Sequence, residues 1–383
     1  MTTVNAKNPP MPWSAVQRLY SFHGLDLEGR LILPRLKVTF DIVPGRVETL
    51  DGASTDDLHP WARSYGKLDL FSEEGGKVID ELLIPDTTGK GAYPGLGSGA
   101  RSGLLEVGGR LLKIKGCGVA HAFEKDQDYT RRRTDLSSPF GGQLLSNARR
   151  ELELTHSLNE MLQQEGFPTA YQPRAAIVYD KLFKTDHTRT RQEMGASIME
   201  VKGDTRVPEL IEFPFATNAE MAASIMLRLG VQTGAMKRLT QDKFSWYAPN
   251  AHMGNVLVWS DQQHVWAYMA DVDVSRIRTS KFDHGGKKYE MQNILASIWQ
   301  ESRHLTGNEN YSMTFLLKER QHIRLPNGSI LTTGGNELQA HILRLKQEFA
   351  TGLITGYGNP DERKPIPIAD LAAAFAIPHP IQA

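Results

Sequence analysis

The chain has 383 residues, more than one hydrophobic core usually serves, so two lobes or one domain with a large extension are expected. Its 44 basic and 44 acidic residues cancel, which excludes a global field for gripping nucleic acid or an anionic membrane and leaves any phosphate handling to a local cluster. One cysteine, Cys117, excludes an intrachain disulfide framework and a cysteine-rich metal centre.

The first residues, "MTTVNAKNPPMPWSAV", contain no basic segment ahead of an apolar run, and the late stretch "IADLAAAFAI" is too short to span a bilayer. A soluble, cytoplasmic chain with no membrane or nucleic-acid partner is therefore expected. "RLILPRLKVTFDIV" near residues 30–43 reads as strand. "SGLLEV" and "RLLKIKG", between residues 102 and 116, read as two strands joined through Gly108-Gly109, a hairpin dipeptide. From Gly142 to Glu165, apolar residues at Leu144, Leu145, Ala148, Leu152, Leu158, Met161 and Leu162 recur at helical spacing until Gly166 and Pro168 stop the run. "RAAIVYDKLF" and "GASIMEV" are two further strands. After a polar turn, "TNAEMAASIMLRLGVQTGAMKRL" opens with Thr217 and has Glu220 three residues on, a capping-box pattern ahead of a helix over 217–239. "NVLVW" and "VWAYMAD" then form a second hairpin through "SDQQ", and Trp246, Tyr247, Trp259 and Trp266 are expected in the core.

The texture changes near residue 203, with strands before it and mainly helices after it. The pattern predicts an N-terminal extension over 1–75, a strand-rich small lobe over 76–203, a mainly helical large lobe over 204–358, and a proline-punctuated surface arm with one short helix over 359–383.

The chemistry is carried by a set of residues in a fixed order. The segment "GLGSGARSG" at residues 95–103 places Gly97, Ser98, Gly99 and Arg101 where backbone N–H groups can approach phosphate oxygens. Lys115 ends the following strand, and 36 residues later Glu151 lies within the long helix. A strand lysine held by a helix glutamate, with the lysine reaching nucleotide phosphates, is the ion-pair device of kinase-like sites. Asn255 begins one strand of the second hairpin and Asp271 ends the other, so both side chains come to the same end, where they can face one Mg²⁺ ion. The conjunction predicts an α+β, bilobal, protein-kinase-like fold that uses ATP and Mg²⁺.

The segment "GLGSGARSGLLEVGGRLLKIKGCG", with "GGQLLSNARRELELTHSLNEMLQQEGFPT" after it, resembles the selenoprotein O family of kinase-like proteins, which transfer AMP to protein hydroxyls. The resemblance covers residues 90–170 well and the rest as a fold. It implies that Lys115 and Glu151 form the ion pair and that Asn255 and Asp271 hold the metal. Two positions depart from the family. Gly254 stands where the family has an aspartate proposed as base, and Glu200 stands where it has an arginine that holds the nucleotide's displaced phosphates, with Arg206 or Arg101 as substitutes. "APNAHMGNVLV" and "MADVDV" are also similar to the H-G-D-x-x-x-x-N loop and I-D-F-D strand of small-molecule kinases. Asn250 occupies that loop's catalytic aspartate position.

His252 is a candidate replacement base, against the simpler reading of a histidine that braces its loop. The run Arg131–Arg133 offers cations ahead of the long helix, although such runs are commonly solvated. Cys117 reads as a small residue in a tight turn. AMP transfer to a protein or small-molecule acceptor is the leading expectation. Phosphoryl transfer is the second, and a nucleotide-binding scaffold the third.

Overall fold

The computed structural model describes residues 11–12, 36–37, 44–50, 81–85, 92–94, 96–97, 102–107, 110–116, 143–184, 191–202, 205–212, 218–248, 251–261, 263–272, 275–277, 284–299, 321–324, 330–333 and 336–375. Ser98, Gly99, Arg101, Cys117, Arg131–Arg133, Asn250 and Asp273 lie outside the described residues, as does the strand expected near 30–43 apart from Leu36–Lys37.

A seven-stranded antiparallel sheet forms the small lobe. Its strands are β1 (Pro44–Thr49), β2 (Leu96–Gly97), β3 (Ser102–Val107), β4 (Arg110–Lys115), β5 (Tyr171–Lys184) and β6 (Arg191–Val201), in the spatial order β1-β5-β6-β4-β3-β2, with Gln143–Leu144 paired to β6. The expected hairpin is β3 with β4, in a register that runs from Ser102 opposite Lys115 to Val107 opposite Arg110. Strand β1, from the segment expected as an extension, is part of this sheet through Ala175 opposite Thr49. The expected long helix is α1 (Leu145–Gln164), whose apolar stripe, including Leu145, Ala148, Leu152, Leu158 and Leu162, is buried against the sheet. Arg149 on its outer side donates from Nε and Nη2 to the Glu48 carboxylate, both at 2.8 Å. The Arg149 guanidinium, helped by Arg46, holds that carboxyl below its usual range. This contact is exposed, so it orients the helix on β1 more than it stabilises the fold.

Helices α2 (Ala219–Phe244), α3 (His284–Trp299) and α4 (Asn336–Gly358) dominate the chain beyond Val201. The cap of α2 is Asn218, whose side chain accepts from the Met221 backbone N–H at 3.1 Å. Thr217, expected at that place, lies outside the described residues, and Glu220 reaches outward to Arg344. Asn does the same work as Thr here because both offer a short side-chain oxygen to the unpaired N–H groups of the first turn. A buried ion pair joins Lys237 of α2 to Glu290 of α3. Gln241 donates to the other Glu290 oxygen at 2.8 Å and accepts from the Tyr357 hydroxyl of α4 at 2.7 Å, so three helices share one satisfied polar network.

A second, four-stranded sheet comprises β7 (Thr205–Arg206), β8 (Val256–Ser260), β9 (His264–Met269) and β10 (Ile366–Pro367) in that spatial order. Its β8–β9 pair is the second expected hairpin, with Val256 opposite Met269. Trp246 and Trp259 are buried as expected, whereas Trp266 is partly exposed and donates its indole N–H to Asp261 at 2.9 Å. The last segment does contain the expected short helix, α5 (Ile368–Ala374). It is more than a surface arm, because Ile366, Leu371 and Phe375 are buried in the hydrophobic core. The architecture is α+β: a strand-rich part whose central strand β4 carries a lysine under a helix glutamate, beside a mainly helical part.

Candidate active site between Lys115 and Asp271

Strand alternation decides which side chains of the small-lobe sheet can meet. Ser197 lies opposite Lys115, Met199 opposite Lys113 and Glu200 opposite Leu112. Residues two apart on a strand share a face, and residues three apart do not. Lys113, Lys115, Ser197 and Met199 therefore share one face, while Glu200 belongs to the other.

On the first face, Lys115 Nζ donates to Glu151 Oε1 at 2.8 Å and makes a shorter contact with Asp271 Oδ1. Glu151 is held at its second oxygen by Gln143 Nε2 at 2.8 Å and by the Ser197 hydroxyl at 3.2 Å. The Lys115 and Glu151 side chains are 7% and 4% exposed, and that of Asp271 is 30% exposed, so the cluster opens to solvent at Asp271. One ammonium stands between two carboxylates. Within this trio the formal charge is negative by one, and the accessible member is the carboxylate, which suits an incoming cation or cation–phosphate complex.

Asp271 is fixed by its backbone as well as its charge. Its φ of 58° is the left-handed conformation, which aspartate tolerates better than most residues. The turn is tied on both sides, since the Ala270 N–H donates to Asn255 O at 2.9 Å and the Ser275 N–H to Val272 O at 2.8 Å. Arg150, the neighbour of Glu151 in α1, donates from Nη2 to Ser275 O at 2.9 Å, so the helix that positions Glu151 also holds the segment after Asp271. Asn255, expected to begin the strand, is buried at the end of the 3₁₀ turn Met253–Asn255, immediately before β8, and its Oδ1 accepts from Arg206 Nη1 at 3.1 Å. The same nitrogen also donates to Gly254 O. A carboxylate oxygen at Asp271 and an amide oxygen at Asn255 are the hard donor types that Mg²⁺ takes together with phosphate oxygens. Asp271 fits that use directly, whereas Asn255 offers an oxygen already shared with Arg206.

The other expected residues divide by position. Gly97 lies on edge strand β2, opposite Gly103, without a described contact to the cluster. Glu200 is on the opposite face of the sheet, where Arg174 holds its carboxylate through Nε at 3.0 Å and through Nη2, so it is not brought to Lys115. The carboxylate is engaged by an arginine of its own sheet, which accounts for an acidic residue at this place. At Gly254, a Cβ would come within 3.0 Å of the His252 imidazole, so that ring fills the space a side chain would need. Among the described residues, no group of three or more His, Cys, Asp or Glu side chains could hold a metal ion.

Gln143, Ser197 and Arg150 were not legible as site residues. Ser197 had one signal, a polar residue in the apolar run "GASIMEV", and Gln143 another, a polar residue at the start of an apolar helix. Each becomes meaningful only when strand register brings it to Glu151.

The two lysines on β4 differ in partners. Lys113 donates to the Tyr171 hydroxyl at 2.9 Å and lies over that ring, which in turn packs on Tyr268 at 5.4 Å between centroids. Lys115 is the one with described contacts to Glu151 and Asp271. Lys115→Met is expected to weaken nucleotide binding by at least about tenfold, the loss of one charge-assisted phosphate contact, and Lys113→Met to weaken it less. Titration of both variants with a fluorescent ATP analogue checks the ranking, and a reversed order moves the phosphate contact to Lys113.

No helix among the described residues is long and apolar enough to cross a membrane. No family model matches the chain, and no curated protein matches it. Among solved structures, WaaP in complex with acyl carrier protein is similar with a TM-score of 0.28 and 12% identity, over 67% of this chain and 87% of that one. The site geometry, not this likeness, carries the functional reading.

Proposed function

We propose that the chain is an ATP- and Mg²⁺-dependent transferase that moves an AMP group to a hydroxyl-bearing acceptor. The observation that carries this reading is the Lys115 ammonium held between the buried Glu151 and the accessible Asp271. Burying a lysine–glutamate pair costs desolvation that a well-packed apolar pair avoids, so its presence beside the accessible Asp271 is better explained by work on a ligand than by stability.

Each residue then has a role. Glu151, braced by Gln143 and Ser197, orients Lys115. Lys115 would bind phosphate oxygens in place of Asp271 when nucleotide binds, and the Asp271 carboxylate, with the Asn255 amide beside it, would hold a metal ion. Bound Mg²⁺ supplies charge neutralisation and a fixed phosphate geometry. The acceptor oxygen attacks the α-phosphorus, the bond to the bridging oxygen of the β-phosphate breaks, pyrophosphate leaves with that electron pair, and the acceptor's proton passes to solvent. Position 254 contributes no carboxylate to take that proton. General-base catalysis is worth about 10²–10⁴-fold, so turnover is expected to be slow rather than absent. AMP transfer in particular is supported by the resemblance over residues 90–170.

A second reading, phosphoryl transfer, is favoured by one observation. Glu200 is paired with Arg174 away from the cluster, so no cation stands at that position for a displaced triphosphate tail. Incubating the chain with Mg²⁺ and ATP labelled on either the α or the γ phosphorus separates the two. Label moving from the α position with release of pyrophosphate is the expected result. Label moving from the γ position with release of ADP overturns it in favour of a kinase, and bound but unconsumed ATP identifies a nucleotide-binding scaffold.

A further inference from the structure

Helix α1 is joined to the chain around Asp271 at a place well away from Lys115. Asn159 follows Glu151 by eight residues, about 12 Å further along the helix axis. It is buried, and both ends of its amide are engaged: Nδ2 donates to Tyr171 O at 2.6 Å, and Oδ1 accepts from the Tyr268 hydroxyl at 2.9 Å. A carbonyl only accepts, so the contact with Tyr171 fixes which way the amide points and leaves its oxygen for Tyr268. Burial pushes the pKa of the Tyr268 phenol up, so this hydroxyl remains a donor. Tyr171 opens β5 of the seven-stranded sheet, and Tyr268 lies on β9 of the four-stranded sheet, three residues before Asp271. One side chain therefore ties the strand that leads to Asp271 to the helix that carries Glu151.

We infer that Asn159 and Tyr268 are positioning residues for the metal half of the site: their hydrogen bond sets where Asp271 stands relative to Lys115 and Glu151. The inference rests on the nucleotide- and Mg²⁺-binding reading above. The apolar stripe of α1 holds the helix against its sheet, but burial of apolar surface is non-directional and does not fix position along the axis. Hydrogen bonds weaken steeply with misalignment, so they do fix it. Two of them flank Asp271: Tyr268 to Asn159 before it, and Arg150 to Ser275 O after it. Between these, the Lys115 ammonium held by Glu151 meets Asp271 directly. Once phosphate oxygens replace Asp271 at Lys115 that direct link is gone, and the flanking bonds from α1 keep the carboxylate in place for the ion. A buried tyrosine hydroxyl needs an acceptor in any case. If satisfying it were the whole role, its loss would lower stability alone, whereas a hydroxyl that positions Asp271 changes what the metal ion adds to nucleotide binding.

The test separates the metal half of the site from the lysine half. The affinity of the full-length chain for a fluorescent ATP analogue is measured in EDTA and again with Mg²⁺, and the gain on adding Mg²⁺ is compared between variants beside a thermal melt of each. Tyr268→Phe deletes one hydroxyl and keeps the ring. It is expected to bind the analogue in EDTA as the wild type does, because Lys115 keeps Glu151, and to lose about tenfold of the Mg²⁺ gain, the lower end of the usual cost of removing a residue that orients a metal ligand. Tyr357→Phe is the comparison. It deletes a hydroxyl that donates to Gln241 at 2.7 Å in the α2–α4 network, and it is expected to lower the melting temperature with the Mg²⁺ gain unchanged. An unchanged Mg²⁺ gain in Tyr268→Phe overturns the inference, and so does an equal loss in Tyr357→Phe. If Tyr268→Phe does not fold, the same substitution combined with Asn159→Leu, which leaves no amide oxygen unpaired beside the ring, is read in the same way. A wild type whose affinity does not rise with Mg²⁺ overturns the metal reading itself, and the inference with it.

Discussion

Asp271→Asn is expected to lower ATP turnover by a factor on the order of 10²–10³, the usual loss when one electrostatic partner of a transferring group is removed, while leaving the chain folded. The choice of asparagine matters because residue 271 has a φ of 58°. Asparagine tolerates that conformation as aspartate does, whereas alanine adds strain of about 1–2 kcal/mol, so a loss of activity in Asp271→Ala would mix backbone and charge effects. The substitution keeps the size of the side chain and removes only its charge. Lys115 retains Glu151, which in turn keeps Gln143 and Ser197, so the buried half of the cluster stays satisfied. Asp273→Asn, two residues on, serves as the milder comparison. Release of labelled product from ATP, measured beside a thermal melt of each variant, reads both effects. Wild-type turnover in Asp271→Asn would remove Asp271 from the site.

Local regularities made much of this fold legible. The Gly108-Gly109 dipeptide and the alternation around it specify the β3–β4 hairpin, and the spacing of apolar residues from Leu144 to Leu162 specifies α1 to within a few residues of its observed ends. These signals depend on neighbours in sequence, so one chain suffices to read them. What remained hidden depends on register and on pairing at long range. Glu48 meets Arg149 from 101 residues away, and Arg150 meets the Ser275 carbonyl from 125 away, distances at which no periodicity connects the partners.

The site divides in the same way. Order along the chain singled out Lys115, Glu151, Asn255 and Asp271. That Glu200 faces away from Lys115 follows from an odd offset between paired strands, which is fixed only once β6 has chosen its register against β4. Arg206 was noted as one of two substitutes for a missing arginine, but its bond to Asn255 required β7 to pair with β8. Gly254 is a similar case. Its lack of a side chain reads in sequence as the absence of a base, and in the structure as the room taken by the His252 ring.

Gly352→Ala is expected to destabilise the chain by about 3 kcal/mol, at the upper end of what one added methyl costs in a packed interior. Gly230 and Gly234 of α2 meet Gly352 and Gly356 of α4, each pair four residues apart and therefore on one face of its helix. A Cβ on any of the four would fall under 3.0 Å from a backbone atom of the other helix: Leu227 O for Gly352, Val231 O for Gly356, Phe349 O for Gly230 and Leu353 O for Gly234. A side chain could turn aside, but a carbonyl within a hydrogen-bonded helix cannot, so relief requires the helices to separate. Separation in turn loosens Phe349 and Leu353, which are fully buried beside the crossing. Alanine gains about 1 kcal/mol over glycine in helix propensity, which opposes this loss but is smaller than it. Gly358→Ala isolates the propensity effect, because a Cβ at the end of α4 meets nothing within 4 Å, and it should be neutral or slightly stabilising. Opposite signs for the two variants in urea unfolding are the expected result. Equal stability of Gly352→Ala and wild type would mean that α2 and α4 can move apart at little cost, and that the glycine contact does not set their spacing.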